Sequence, residues 1–133
     1  MIVVDSSVWI DHLNGRRTPH TAQLEQILDD EDLPIIVGDV IMYEVLRGLQ
    51  RARAASEVKA MLERRLMVSM LGFELVYRAV GNYQTLRGWG ITIKAADIFI
   101  GTYCIANGAE LLTSDRDFGP MRDHLGLRLV PVT

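Results

Sequence analysis

Cysteine and long apolar segments are the two features that this 133-residue chain most clearly lacks. Its single cysteine, Cys104, cannot form an internal disulfide bond, and its apolar neighbours predict a small buried side chain. No apolar run approaches the roughly 20 residues that a membrane-spanning helix needs, and the amino terminus has no basic segment followed by a long apolar one. We therefore expect a cytoplasmic protein that keeps a reduced thiol and does not enter a membrane.

An excess of positive charge is also absent. Lys and Arg number 14 against 17 Asp and Glu, which gives a formal net charge of -3 at pH 7. This balance does not indicate a protein that binds nucleic acid over a broad basic surface. The basic residues are nevertheless concentrated in one stretch, for which a solvated helix face is the ordinary interpretation and a basic contact surface the alternative. That stretch contains Arg47, Arg51, Arg53, Lys59, Arg64 and Arg65.

Length and composition predict one domain over residues 1–133, because 49% hydrophobic residues can build a single core in a chain of this size. We find no low-complexity tract and no internal repeat. No glycine-rich phosphate loop follows a predicted strand, so a nucleotide-binding fold is unsupported. Aromatic residues are predicted to lie in the core or at an interface rather than to stack on bases; they include Trp9, Trp89, Tyr77 and Tyr83.

Short apolar runs alternate with longer segments of helical periodicity, and this alternation predicts an α/β fold with a mainly parallel central sheet flanked by helices. Ser6 and Asp39 are predicted to cap helices, and Gly108 is predicted to end one. The predicted strands span residues 2–5, 34–37, 66–70, 110–113 and 128–131. The predicted helices span residues 7–13, 21–29, 40–49, 52–64, 73–88, 95–106 and 120–124.

Four carboxylates lie within or directly after apolar segments, where an ionised side chain is costly unless it is paired or bound to a cation. They are Asp5, Glu44, Asp97 and Asp115. Strand ends of an open parallel sheet share one edge, and Asp5 and Asp115 each follow a predicted strand. Glu44 lies about one turn into a predicted helix and Asp97 lies near the start of another, and helical side chains tilt toward the helix N-terminus. The sequence therefore predicts that the four gather in one pocket.

Oxygen ligands without a cluster of His or Cys favour Mg²⁺ or Mn²⁺ over Zn²⁺. Without a cation, four adjacent carboxylates would repel one another and raise one another's pKa. A divalent cation held there can lower the pKa of a bound water and stabilise charge on a phosphate, so hydrolysis of a phosphodiester is the matching reaction.

The order and spacing of four sequence blocks resemble PIN-domain ribonucleases, and in particular toxins of the VapC type. The blocks are residues 2–7 with Asp5, residues 44–48 with Glu44, residues 90–98 with Asp97, and residues 112–118 with Asp115 and Asp117. The resemblance covers essentially the whole chain. It implies a PIN fold, in which the equivalents of Asp5, Glu44, Asp97 and Asp115 form the acidic metal site, although Asp117 competes with Asp115 for the last position.

The resemblance also implies a function: an endoribonuclease dependent on Mg²⁺ or Mn²⁺, acting as the toxin of a toxin–antitoxin pair. Its expected partners are RNA, a VapB-type antitoxin and a second copy of the chain, in a homodimer. Hydroxyls of Ser7 and Thr113 would orient carboxylates or a metal-bound water. Residues that could contact RNA or the antitoxin are Arg47, Arg51 and Arg116.

Other interpretations stay open from the residues alone. Asp5 could cap a helix, Glu44 could be solvated, Asp97 could interact with a helix N-terminus or with Lys94, and Asp115 could belong to a turn. A phosphatase with an Asp nucleophile is disfavoured, since its usual second Asp is replaced by Ser7. The main alternative is a non-catalytic binding module whose acidic pocket holds a basic residue of a partner.

Overall fold

A four-stranded parallel sheet organises the computed structural model, which describes residues 1–133 except for the side chain of Ala52. Its strand order is β3-β2-β1-β4. In the central pairings Ile2 lies opposite Ile35 and Val4 opposite Leu112. The strands are β1 (Ile2–Val4), β2 (Ile35–Gly38), β3 (Leu66–Val68) and β4 (Glu110–Leu112).

Seven α-helices connect and cover these strands, together with 3-10 turns at Ala52–Ala54 and Arg116–Phe118. Every residue of β1 and β2 is buried, as expected for a parallel sheet that helices cover on both faces. The helices are α1 (Ser6–Leu13), α2 (Pro19–Asp29), α3 (Asp39–Arg47), α4 (Ala55–Leu62), α5 (Phe73–Gly88), α6 (Ala95–Asn107) and α7 (Gly119–Leu125).

The predicted α/β fold is confirmed, but the predicted strand at 128–131 is wrong. That segment contributes an isolated bridge, in which Leu129 lies opposite Leu111. Leu111 donates its backbone N–H to Arg128 O at 2.9 Å and accepts one from Val130 at 2.9 Å. Pro131 has no N–H to extend this pairing. The predicted helix at 52–64 is also shorter than expected, because a 3-10 turn precedes α4.

Two of the predicted helix caps are wrong. Asp5, in extended conformation, precedes α1, while Ser6 is its first residue and bonds elsewhere. Gly38 precedes α3, and Asp39 instead accepts backbone N–H groups from Val40 and Met70 at 2.9 and 2.8 Å. Gly108 ends α6 in the left-handed conformation, as predicted.

The largest core side chain is Trp9, which is 1% exposed, and Cys104 is fully buried, as predicted. By contrast Tyr77, Tyr83 and Trp89 are exposed, so these three do not lie in the core, and the interface that was the other expectation for them stays a prediction. Tyr77 and Tyr83 lie on α5 and Trp89 directly follows it; α5 contacts the rest of the protein mainly through α6. No helix in the described part of the chain is long and apolar enough to cross a membrane.

Candidate metal centre

Asp5 occupies the carboxyl end of the central strand β1 and is 3% exposed. Its Oδ2 accepts hydrogen bonds from the hydroxyls of Ser7 at 2.7 Å and Thr113 at 2.9 Å. Burial raises the pKa of this carboxyl, and the two hydroxyls oppose that rise. Asp5 does occupy the cap position of α1, but its side chain makes no capping hydrogen bond. The carboxylate of Asp5 is therefore not held in place as a helix cap.

Asp115 is brought beside Asp5 because β1 and β4 run parallel and end together. The Asp5 N–H donates to Leu112 O at 2.9 Å, which ties the two strand ends to each other. Thr113 then links the two acids, since its Oγ1 donates to Asp5 and accepts the N–H of Asp115 at 3.0 Å. One Oδ of Asp115 accepts the N–H of Asp117 at 2.9 Å and so begins the 3-10 turn. Its other oxygen remains available to a ligand.

Asp97 lies in the first turn of α6 and is 6% exposed. Its Oδ2 is buried and has no hydrogen-bond partner among the described residues. Burial is the main cause that raises the pKa of Asp97 to about 7; the charges of Asp5, Asp115 and Glu44 contribute to this rise, and Lys94 opposes it. A buried carboxylate oxygen without a donor is costly, and a cation would compensate it.

Glu44 reaches the same edge from α3 and is half-buried. Ser6 donates its Oγ to Glu44 Oε1 at 2.9 Å, across the start of α1. Sequence reasoning missed this role of Ser6, having assigned the residue as a helix cap. The only signal was its place next to Asp5. Glu44 influences Asp97 electrostatically but lies outside the tightest group of acids.

The tightest group consists of Asp97, Asp115 and Asp117, each of which offers an oxygen within 4.8 Å of the others. Asp115 and Asp117 thus both belong to the cluster, rather than competing for one place. An all-oxygen set of this kind, with the orphaned Oδ2 of Asp97 inside it, fits a hard divalent cation. The structure brings all four predicted acids to one sheet edge and adds Asp117 to them.

The three predicted contact arginines lie in different places. Arg116 lines a cleft of about 310 Å³ together with Asp117, next to the acids. Arg51 lines a groove of about 420 Å³ between α1, the end of α3 and α4, with Leu13 and Val58 among its walls. Arg47 lies over the ring of Tyr43, 5.2 Å from its centre. Only Arg116 adjoins the acidic cluster through a shared cleft.

Comparison with known proteins matches the PIN domain family over residues 2–122. The chain is 27% identical over 120 residues to ribonuclease VapC32 of Mycobacterium tuberculosis, covering 87% of this chain and 86% of that protein. It is 22% identical over 119 residues to ribonuclease VapC11 of the same species, with 89% of each chain covered.

Solved structures share the fold. VapBC2 of Rickettsia felis, bound to a DNA fragment from its promoter, matches with a TM-score of 0.73 and 19% identity over 100% of both chains. VapBC-1 of nontypeable Haemophilus influenzae matches with a TM-score of 0.74 and 17% identity, over 98% of this chain and 97% of that one. With the parallel sheet, the acids at its edge and the match over residues 2–122, this chain belongs to the PIN domain family.

Proposed function

We propose that the protein is a metal-dependent endoribonuclease and the toxin of a toxin–antitoxin pair. The observation that carries this proposal is the acidic cluster at the sheet edge, with a buried oxygen of Asp97 that has no partner in the described structure. Relatives that match most of the chain are named ribonucleases, which supports the same activity here.

Mg²⁺ or Mn²⁺ is the proposed ion, and Asp5, Glu44, Asp97 and Asp115 are its proposed ligands, with Asp117 beside them. Such a cation supplies an activated water and neutralises charge that develops on the phosphate. The chain's own contribution is to orient the acids: Ser7 and Thr113 hold Asp5, and Ser6 holds Glu44. Preorganised hydroxyls of this kind keep carboxylates from turning away from a ligand.

Two protein partners are proposed as well. The structural neighbours are VapBC complexes, which supports a VapB-type antitoxin for this chain. A homodimer is supported by an apolar stripe on α5, where Phe73, Tyr77 and Val80 are exposed at successive turns. Exposed apolar patches on a protein of this size are typical of interfaces.

The test is incubation of the purified, antitoxin-free protein with total cellular RNA, with and without Mg²⁺ or Mn²⁺. We expect discrete cleavage that requires the ion and is lost in Asp5→Asn and Asp97→Asn, which keep shape and remove charge. Asp123→Asn is the matched control, since Asp123 is exposed and bonded to Arg122 outside the cluster. Metal-loaded, folded protein that cuts no class of RNA would instead favour the non-catalytic binding module.

A further inference from the structure

Two segments that are distant in the sequence line the cleft beside the acids. One wall consists of residues 92–94, which lead directly into α6 and so to Asp97. The other wall consists of Arg116, Asp117 and Pro120, which belong to the 3-10 turn and to the start of α7. Two acids of the tightest group, Asp97 and Asp117, therefore depend on separate segments. A cation that contacts both acids requires these segments to keep a fixed separation.

An aromatic stack joins the same two segments on the protein surface. Trp89 lies three residues before Thr92 of the first wall, and His124 lies four residues after Pro120 on α7. The two ring centres are 4.4 Å apart and the ring planes are 24° from parallel. Trp89 is nevertheless 66% exposed, and His124 is exposed as well. The stack is therefore a surface contact, and its loss opens no cavity in the core.

Hydrogen bonds connect the position of Trp89 to the first wall. Trp89 donates its N–H to Leu86 O at 3.0 Å, at the end of α5. Gly90 donates its N–H to Arg87 O at 2.9 Å and has a φ of +77°, which a side chain would strain. Arg87 in turn donates from Nη1 to Thr92 Oγ1 at 2.8 Å. The segment between α5 and the cleft is therefore a bonded loop rather than a free linker.

Buried side chains connect the position of His124 to the second wall. Phe118 ends the 3-10 turn and Met121 lies on α7, and both are fully buried. Asp117 belongs to the same turn and donates its N–H to Asp115 Oδ1 at 2.9 Å. The turn and α7 therefore form one packed unit, with Asp117 near its start and His124 near its end.

A deeper contact also joins α6 to α7. An added Cβ at Gly101 on α6 would overlap Sδ and Cε of Met121, so the two helices approach closely there. Met121 lies in the first half of α7, and a contact there leaves the other end of the helix less constrained. The stack of Trp89 on His124 supplies a second contact near that other end. Two separated contacts fix the direction of α7 and therefore the place of Asp117.

We propose that Trp89 and His124 are positioning residues for the metal centre. Their stack, here called the aromatic clamp, fixes the spacing of the two segments, so that oxygens of Asp97 and Asp117 lie within 4.8 Å of each other before a cation binds. Ligands that are already in place cost less to order when the cation arrives. The inference rests on the proposed metal-dependent function and adds two residues to it. Both residues act through the segments that carry the acids.

Binding of Mn²⁺, measured from the electron paramagnetic resonance signal of the free ion, tests the clamp without RNA and without catalysis. We expect Trp89→Ala and His124→Ala each to weaken Mn²⁺ binding about fivefold, the factor that an aromatic pair contributes. The double variant should bind no more weakly than either single variant, because both changes remove the same contact. Trp89→Phe and His124→Tyr each keep a pair of stacked rings and should bind Mn²⁺ nearly as tightly as the wild type.

Two control variants separate positioning from stability. Arg122→Ala removes an exposed side chain of α7 that is paired with Asp123, so Mn²⁺ binding should be unchanged. Ile27→Val trims a buried side chain of α2, a helix that contacts α1 and carries none of the proposed ligands. This change lowers stability to about the same extent as the loss of an aromatic pair. Its urea midpoint should therefore fall while its affinity for Mn²⁺ stays that of the wild type.

Failure of the clamp and failure of the proposed function give different results. If Trp89→Ala and His124→Ala lower the urea midpoint but bind Mn²⁺ as tightly as the wild type, the stack is only structural and the clamp is overturned. Additive losses of affinity in the double variant would also overturn it, since the two side chains would then act separately. Mn²⁺ binding that depends on the clamp, without cleavage of any RNA, would establish the clamp and overturn the nuclease. A wild-type protein that binds no Mn²⁺ would overturn the metal centre, and the clamp with it.

Discussion

Asp97 is a residue at which burial and the charges of neighbouring acids act together. Its carboxyl is buried, three other acids raise its pKa, and one of its oxygens has no partner among the described residues. Without a cation the carboxyl of Asp97 therefore keeps its proton to a higher pH than it would in the unfolded chain. Bound metal reverses this preference because it requires the ionised form.

Stability of the metal-free protein is expected to fall as pH rises through the interval between 3.8 and about 7. A raised carboxyl pKa means that the folded state binds more protons in that interval, so ionisation costs stability, on the order of 4 kcal/mol in all. Above about pH 7 the loss that Asp97 contributes is complete. Urea unfolding in a chelating buffer at several pH values measures this fall in the free energy of unfolding.

The control for this prediction is Asp97→Asn, which has no proton to lose at this position. We expect the variant to be less dependent on pH, with the remainder arising from Asp5, whose pKa is also raised. In the wild type Mg²⁺ affinity rises with pH across the same interval, since protons and metal compete for the carboxylates. A variant as dependent on pH as the wild type would show that Asp97 is ionised in the fold.

Among the elements, the contact of α6 with α7 decides where Asp117 lies. Gly101 is one turn beyond Asp97 on α6, and a Cβ there would overlap Sδ and Cε of Met121 on α7. Glycine at this point lets the two helices approach closely. The same approach holds the 3-10 turn Arg116–Phe118, which leads into α7, against the acids.

Gly101→Ala is expected to destabilise the fold by about 1 kcal/mol, because the buried thioether end of Met121 must move and the gain in helix propensity offsets only part of that cost. Gly81→Ala is its matched control within α5, where an added Cβ meets nothing within 4 Å. There the change should stabilise by up to about 1 kcal/mol through helix propensity. Denaturant midpoints of the two variants check the direction of each stability change. Equal midpoints would show that Met121 and α7 move aside without cost in stability.

Over the whole molecule, two separate surfaces carry arginines with different expected partners. Arg51 lines a groove with the apolar side chains of Leu13, Leu49 and Val58, which suits a peptide segment laid into it. Arg116 lies in the cleft beside the acids, which suits RNA. Because the two surfaces do not share lining residues, their functions should separate on mutation.

We expect Arg51→Glu to leave RNA cleavage within about twofold of the wild type. The same change should weaken inhibition by the antitoxin, whose gene is expected beside the gene for this protein, because a reversed charge in the groove repels the antitoxin segment bound there. Arg116→Ala should do the opposite, with lower cleavage and intact inhibition. Titration of the antitoxin into the cleavage assay measures both. Equal inhibition of the two variants would show that the groove is not the antitoxin surface.

Local patterns predicted most of the fold and the position of the acids. The carboxylates after β1 and β4, at the start of α6 and more than one turn into α3 could be placed at one edge because parallel strands end together. The strand expected at 128–131 could not be judged from its apolar residues alone, since pairing depends on the free edge of β4 and on Pro131. Ser6 was assigned to a cap because local chemistry gives no sign of Glu44, 38 residues away.

The sequence by itself determined the α/β architecture, because periodicity is a local property. It also predicted the four acidic positions and indicated a divalent cation bound by oxygen ligands, because side-chain chemistry is local as well. Only the tertiary structure decided that Asp115 and Asp117 both join the cluster, that Asp97 keeps an oxygen without a partner among the described residues, and that Trp89 is exposed. These depend on distances between segments far apart in the chain. Thr113 and Asp5, which meet at 2.9 Å, are separated by 108 positions.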